Sequence, residues 1–491
     1  MRVCRLVILL LLISPSTEAH VGSPDVFFEG AAGPYQLLVR VSPPAMVPGV
    51  AEVQVRVMSG TVGSISVTPV YVNGKDQGLP PSSDFLEPSA VDPQWLTGRV
   101  WMMESGSWEV RLEVRGNQGN GKLAVPVPVF ARRTLPMEKP LGSLLFGLLL
   151  FLSIGIVSIA GAAAREGGLA CGTVPSRRNR RVGQAAMAAS AVLVVTLLAL
   201  GNWWWNLQAA DLERRVLYRP PPLRASLLAG DPAKHGADRL TLQIEEDFWH
   251  KTRSDEWSMS LITDHGHLMH LFFLRVPGLD RFYHLHPEPT SDGSFTASLP
   301  AIPAGRYRIF ADIVRGTGFP ETLVSDIDLP NVEGPPLSGD DSGATASPFD
   351  TSAGPVNVAR LSDGSRMVWE RETATLKAGQ ASWFRFRVEG EDDKPVKDME
   401  PYMGMAGHAE FVGSDLSVFA HVHPAGSVPM ASLMIVEQDL GIPMDHSKTQ
   451  AVPAELAFPY GFPKPGEYRL FVQVKRHGQV QTGVFDAHVG S

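Results

Sequence analysis

Residues 265–287 read HGHLMHLFFLRVPGLDRFYHLHP, and residues 403–424 read MGMAGHAEFVGSDLSVFAHVHP. Each is an apolar run, a turn built from Gly, Pro, Ser or Asp, and a returning run that ends in His-x-His-Pro, which is the pattern of a β-hairpin. The parallel continues downstream, where Pro303-Ala-Gly305-Arg-Tyr307-Arg-Ile-Phe310 matches Pro465-Gly466-Glu-Tyr468-Arg-Leu-Phe471. A unit present twice predicts a tandem pair of homologous β-sandwich domains, 238–332 and 365–491. Between them, 333–364 is rich in Gly, Ser, Asp and Pro and reads as a linker.

Upstream, short alternating runs such as Tyr35–Val41, Ala51–Val57, Ser107–Val114 and Lys122–Val129 are separated by Gly, Pro and Asn, so 20–135 reads as an N-terminal sandwich. Two stretches break the β pattern. Residues 141–164 and 182–205 carry no charge, and each exceeds the ~20 residues needed for a ~30 Å hydrocarbon core. They are expected to be transmembrane helices. The loop 165–181 holds Arg165, Arg177, Arg178, Arg180 and Arg181 against Glu166, an excess that assigns it to the cytoplasm. Trp203, Trp204 and Trp205 close the second span as an interfacial belt.

Residues 1–19, with a basic start, an apolar core and Ala19 at the end, read as a secretory signal peptide. The proline-rich 206–237 reads as a stalk. The expected fold class is mainly β: three Ig-like β-sandwich domains outside the membrane plus two transmembrane helices. The expected location is the plasma (inner) membrane, with the N- and C-terminal domains on the periplasmic side.

The formal net charge of -8 leaves no basic footprint, which argues against a nucleic-acid partner. Cys4 falls in the leader and Cys171 in the basic loop, so the exported regions hold no thiol for a disulfide or a thiolate metal site. No nucleophile motif, phosphate loop or dinucleotide fingerprint is present, and the chain reads as a non-enzyme.

Candidate ligands concentrate at one place in each repeat. The first offers His265, His267, His270, His284 and His286; the second offers Met403, Met405, His408, His421 and His423. Strand side chains alternate faces with period 2, so the members of each His-x-His pair share a face. A hairpin centred between Ser414 and Asp415 sets His408 opposite His421, and one centred on Pro277 sets His270 opposite His284. Opposed Cβ atoms lie ~4.5–5.5 Å apart, close enough for two imidazoles to share an ion. One site per repeat is the expectation. Imidazole with thioether and no thiolate suits copper; the all-histidine first site also tolerates zinc, and the methionines of the second favour Cu(I).

Met430 after Pro429, and His446 within Met444-Asp445-His446, lie in loops expected to fold over the second site. His20, exposed as a new terminus by cleavage after Ala19, is a further candidate, because its amino group and imidazole chelate Cu(II). A copper oxidase centred on His20 would need two further histidines beside it. The competing structural reading makes His-x-His-Pro a strand end whose imidazoles bond to backbone, with Met403 and Met405 as core packing. Cross-strand pairs in both copies favour metal. Asp264 reads as a solvated acid, and Trp101, Met102 and Met103 as core.

From Tyr402-Met-Gly-Met-Ala-Gly-His408 through His421-Val-His423-Pro424, and again from His265-Gly-His-Leu-Met-His270 through His284-Leu-His286-Pro287, the chain resembles YtkA-like and FixH-like periplasmic β-sandwich domains. The resemblance implies a role in envelope copper handling or oxidase maturation, with copper donors, acceptors or oxidase-assembly proteins as partners. The functional expectation is a membrane-anchored protein that holds, senses or delivers copper. The alternative is a metal-free scaffold whose tandem sandwiches bind another envelope protein or a polysaccharide.

Overall fold

The computed structural model describes residues 23–72, 82–228, 238–245, 260–350, 356–371, 375–441 and 452–491. The predicted leader, His20 and His446 lie outside the described residues. Among the described residues the fold is mainly β, with six antiparallel sheets that pack in three facing pairs. Each pair encloses a separate apolar core. The chain divides into two units: residues 132–218, and everything else.

The smaller unit is a pair of helices, Lys139–Glu166 and Arg177–Val216, each long and apolar enough to cross a membrane. Both extend past the uncharged stretches that mark them in the sequence. Ser176 caps the second, accepting from the Asn179 N–H at 3.2 Å, so Arg177–Arg181 are already helical. Gly161 and Gly183 are the buried residues of the pair. A Cβ at Gly183 would lie 3.0 Å from the Gly161 carbonyl oxygen, so the missing side chain is what lets the backbones meet.

Two boundaries differ from the sequence reading. The expected stalk is helix as far as Val216 and then strand Leu223–Leu228, paired antiparallel with Arg239–Ile244 in the middle sandwich. The proline run had masked a short strand that follows it directly. The expected linker holds strand Ser342–Thr345, which adds to the edge of Arg281–Leu285. Its acids, Asp340 and Asp341, reach the histidines described below.

Strands His270–Val276 and His408–Gly413 are buried along nearly their whole length. Antiparallel strands normally bury one face and wet the other, so burial on both requires cover on both sides. Leu271 and Phe273 point into the middle core, and Ala409 and Phe411 into the last. The opposite faces meet each other. Phe272, Leu274, Phe282 and Phe310 pack with Val412, Phe419 and Phe471 in a shared core between the two sandwiches.

That contact is pseudo-symmetric. Phe282 stacks on Phe471 at 4.3 Å and 13°, and Phe310 on Phe419 at 4.3 Å and 12°. The repeat makes Phe282 equivalent to Phe419 and Phe310 to Phe471, so the two stacks exchange under a local two-fold relation, as in an isologous dimer. Such ring pairs contribute about 0.5–1.5 kcal/mol each beyond the area they bury.

The N-terminal sandwich docks on the last one. Phe27, fully buried, belongs to the last domain's core and lies 5.7 Å from Tyr460. Glu29 N–H donates to Ala425 O at 2.7 Å, and Ser427 N–H to Phe27 O at 2.9 Å. Gly426, with φ +124°, sits so close to the Phe27 carbonyl that any Cβ would collide with it. In the Trp101–Met103 run, only Met102 is core; Trp101 and Met103 are exposed on the other face of their strand end.

Asp264 also departs from expectation. It is buried, and its Oδ1 accepts from the Ala431 N–H at 2.7 Å, at the start of helix Met430–Asp439. The residue before that helix is Pro429, which has no side-chain cap to offer, so the middle sandwich supplies one. Asp264→Ala is expected to cost about 1–2 kcal/mol, and Asp264→Asn clearly less. Denaturant unfolding of the two variants side by side checks this; equal losses would show that the bond to the helix is not what stabilises.

Candidate metal centre

The tips that carry the first ligands are two-residue hairpins. Asp264 and His267 exchange both backbone hydrogen bonds, as do Tyr402 and Met405. The enclosed pairs, His265-Gly266 (φ 50° and 87°) and Met403-Gly404 (φ 50° and 79°), are left-handed, as a primed turn requires. The first tip projects His265 away from its own sheet. His265 crosses to the other sandwich, where Nδ1 bonds the Met403 carbonyl at 2.8 Å. Its ring centroid is 4.9 Å from His408 and 5.0 Å from His423.

The hairpins below them pair two residues out from the predicted register. Glu410 lies opposite His421, and Phe272 opposite His284. The turn at Gly413–Val418 is longer than assumed: Gly413 N–H bonds Val418 O, Leu416 N–H bonds Gly413 O, and Leu416 takes φ 61°. A slip of two preserves the face, so the histidines still converge; a slip of one would have scattered them.

Two triads result, each with potential ligand atoms within 4.8 Å of one another: His270 with His284 and His286, and His265 with His408 and His423. The expectation of one site per repeat is thus corrected. The second triad is built from both sandwiches, and His267 stands outside the first, stacked on His286 at 3.9 Å with Nε2 3.5 Å from Asp340. Met430 packs against the N-terminal sandwich's core. Met403 is buried; Met405, partly buried, closes its turn through backbone bonds to Tyr402.

Four of the imidazoles are oriented in one consistent way. His423 Nδ1 bonds Val428 O at 3.1 Å, His286 Nδ1 bonds Asp341 at 2.9 Å, and His421 Nδ1 faces Asp312 at 3.4 Å. Together with His265, that makes four rings anchored at Nδ1, and in all four Nε2 is buried without a hydrogen-bond partner. His408, fully buried, has no partner on either nitrogen. Orphaned buried polar atoms are rare in folded proteins, whereas a ring fixed at one nitrogen and bare at the other is the usual arrangement of a metal ligand.

The first triad carries a related signal. His270 Nε2 faces the Asp264 carbonyl at 3.1 Å, and His284 Nδ1 faces Gln473 Oε1 at 3.0 Å. The Asp264 carbonyl accepts the proton of His270 Nε2 and, in this amide orientation, Gln473 Oε1 accepts that of His284 Nδ1, with the Tyr402 hydroxyl 3.3 Å from the same nitrogen. His270 Nδ1 and His284 Nε2 are then left 3.1 Å apart as two facing lone pairs. A cation bound by both nitrogens would resolve that repulsion. The anchors also obey the local symmetry: His284 is held by Gln473 and His421 by Asp312, positions equivalent in the repeat and each supplied by the opposite sandwich.

Burial, then repulsion among neighbouring imidazoles, holds His270, His284, His408 and His423 well below the ordinary 6.5. His265 and His286 are lowered too, chiefly by burial. These rings are neutral at neutral pH, which is the state that binds metal. Glu410, fully buried and with no hydrogen bond to either carboxylate oxygen, is pushed well above its ordinary value by desolvation. Sequence reasoning missed Glu410, Gln473, Asp312 and Asp341. The available signal was an acid two residues after His408, on the same face of a strand too apolar to leave either face wet.

Residues 359–491 match a family described as "Domain of unknown function (DUF8832)". No curated protein matches the chain. Among solved structures, an engineered protein is similar at 20% identity over 20% of this chain and 21% of its own length, with a TM-score of 0.15. A bacterial ice-binding adhesin aligns at 8% identity over 94% of this chain and 99% of its own, with a TM-score of 0.16. A putative membrane-anchored protein from Corynebacterium diphtheriae aligns at 9% identity, covering 96% of each chain, with a TM-score of 0.15. TM-scores of this size carry no argument about this chain.

Proposed function

We propose that this chain is a membrane-anchored, extracytoplasmic copper-binding protein. Its three sandwiches are Ig-like, its two apolar helices span the inner membrane with the basic loop in the cytoplasm, and its two repeats are relatives of the YtkA-like and FixH-like domains. It holds copper at the histidine triads between its tandem sandwiches, for delivery or sensing in the cell envelope. One observation carries this reading: buried imidazoles converge in two groups of three, and within them His265, His286 and His423 are each fixed at Nδ1 with a bare Nε2, while His408 is bare at both nitrogens. Three imidazoles without a thiolate accept Cu(I), Cu(II) or Zn(II). The choice of copper rests on Met403 and Met405 in the tip that faces His265.

The test is elemental analysis of the full-length chain, purified in detergent after exposure to equal copper and zinc. Copper is expected to remain bound, and the triple variant His408→Ala, His421→Ala, His423→Ala is expected to lose the second triad's share. Zinc retained in place of copper would overturn the choice of metal. Equal copper in wild type and triple variant would overturn the site.

A further inference from the structure

We propose that the two triads are halves of one two-ion centre, with His421 shared between the ions and Glu410 as their buried counter-charge. This rests on the metal-binding reading and turns two separate sites into one coupled site. The His421 ring centroid is 5.5 Å from His270 and 5.9 Å from His284 on one side, and 5.4 Å from His408 and 4.6 Å from His423 on the other. It adjoins both triads. Its Nδ1 faces the Asp312 carboxylate at 3.4 Å, and its Nε2 is buried and unpartnered, so it is oriented as the triad ligands are.

Glu410 lies opposite His421 in the hairpin. Its side chain is fully buried, neither oxygen has a hydrogen bond, and Oε1 comes within 3.9 Å of His284 Nδ1. The equivalent position in the first repeat is Phe272, a packing residue of the shared aromatic core. An apolar side chain would therefore serve the interface, and a buried carboxylate without a donor is costly to keep. Its chemistry accounts for its presence. Two cations a few ångströms apart in a pocket of low dielectric repel strongly, and a buried anion behind the His284 ring offsets that repulsion.

The full-length chain in detergent is titrated with Cu(II) sulfate; bound copper is counted, and electron paramagnetic resonance spectra are recorded at each step. Wild type is expected to hold two ions and to show the half-field transition of two nearby Cu(II) centres. Glu410→Gln keeps the size and removes the charge. It is expected to weaken the second ion by at least about tenfold and to abolish the half-field signal while the first ion stays. His421→Phe should do the same, with circular dichroism confirming that each variant is folded. Copper binding survives but the shared centre falls if wild type holds one ion, if it holds two without the half-field signal, or if Glu410→Gln keeps both at unchanged affinity. A wild type that holds no copper sinks both readings.

Discussion

His265→Ala is expected to weaken copper at the triad completed by His408 and His423 by about 100-fold or more, at least as much as removing a residue that only orients a ligand. His265 belongs to the middle sandwich and the other two to the last, so the loss would show that one ion is held by both domains. Removing it also frees the Met403 carbonyl, whose bond to His265 steadies the two tips against each other. Competition against a chromophoric copper chelator gives the affinity. His477→Ala, on the exposed turn before the final strand, serves as the control and should change nothing. An unchanged affinity in His265→Ala would return the ligand set to the last sandwich alone and remove the case for a site between domains.

Stability of the sandwich unit is expected to fall steeply as pH drops below about 6.5, the ordinary histidine value. His265, His270, His284, His286, His408 and His423 are all lowered by folding. Below about 6.5 the unfolded chain takes up protons at these positions while the folded chain does not, so stability is lost as pH falls from there toward the folded values. Glu410 acts in the opposite sense. Its folded value is raised above the ordinary 4.5, so it costs stability as pH rises from there. Six groups outweigh one, and every tenfold loss of proton affinity on folding corresponds to about 1.4 kcal/mol. Thermal unfolding from about pH 8 down to pH 5 measures the slope. Bound copper should raise the midpoint most at the upper end, where protons compete least. A flat profile would mean that the rings are wetter than their burial implies.

Much of the site was legible because the strand period is short. The repeat of His-x-His-Pro, with Pro-x-Gly or Pro-Gly downstream, located the homologous hairpins, and the period of two put the right histidines on one face even though the register was two residues off. The turn length was not legible, because Leu416 in the left-handed region carries no glycine signal. Asp264 looked like a solvated acid because the helix it caps lies far along the chain. The acids of 333–364 looked like linker because no apolar alternation marks so short an edge strand as Ser342–Thr345.

By itself, the sequence determined the β character, the two apolar helices, the repeated hairpin motif and the six histidines that form the two triads. Each of these is written in local periodicity and composition. Which imidazole completes which triad was decided only by tertiary structure. The outer faces of two equivalent sheets had to cover each other, and the two-fold relation that stacks Phe282 on Phe471 and Phe310 on Phe419 also carries the tip of one sandwich into the pocket of the other. No local pattern encodes that exchange, because it depends on which apolar face finds which.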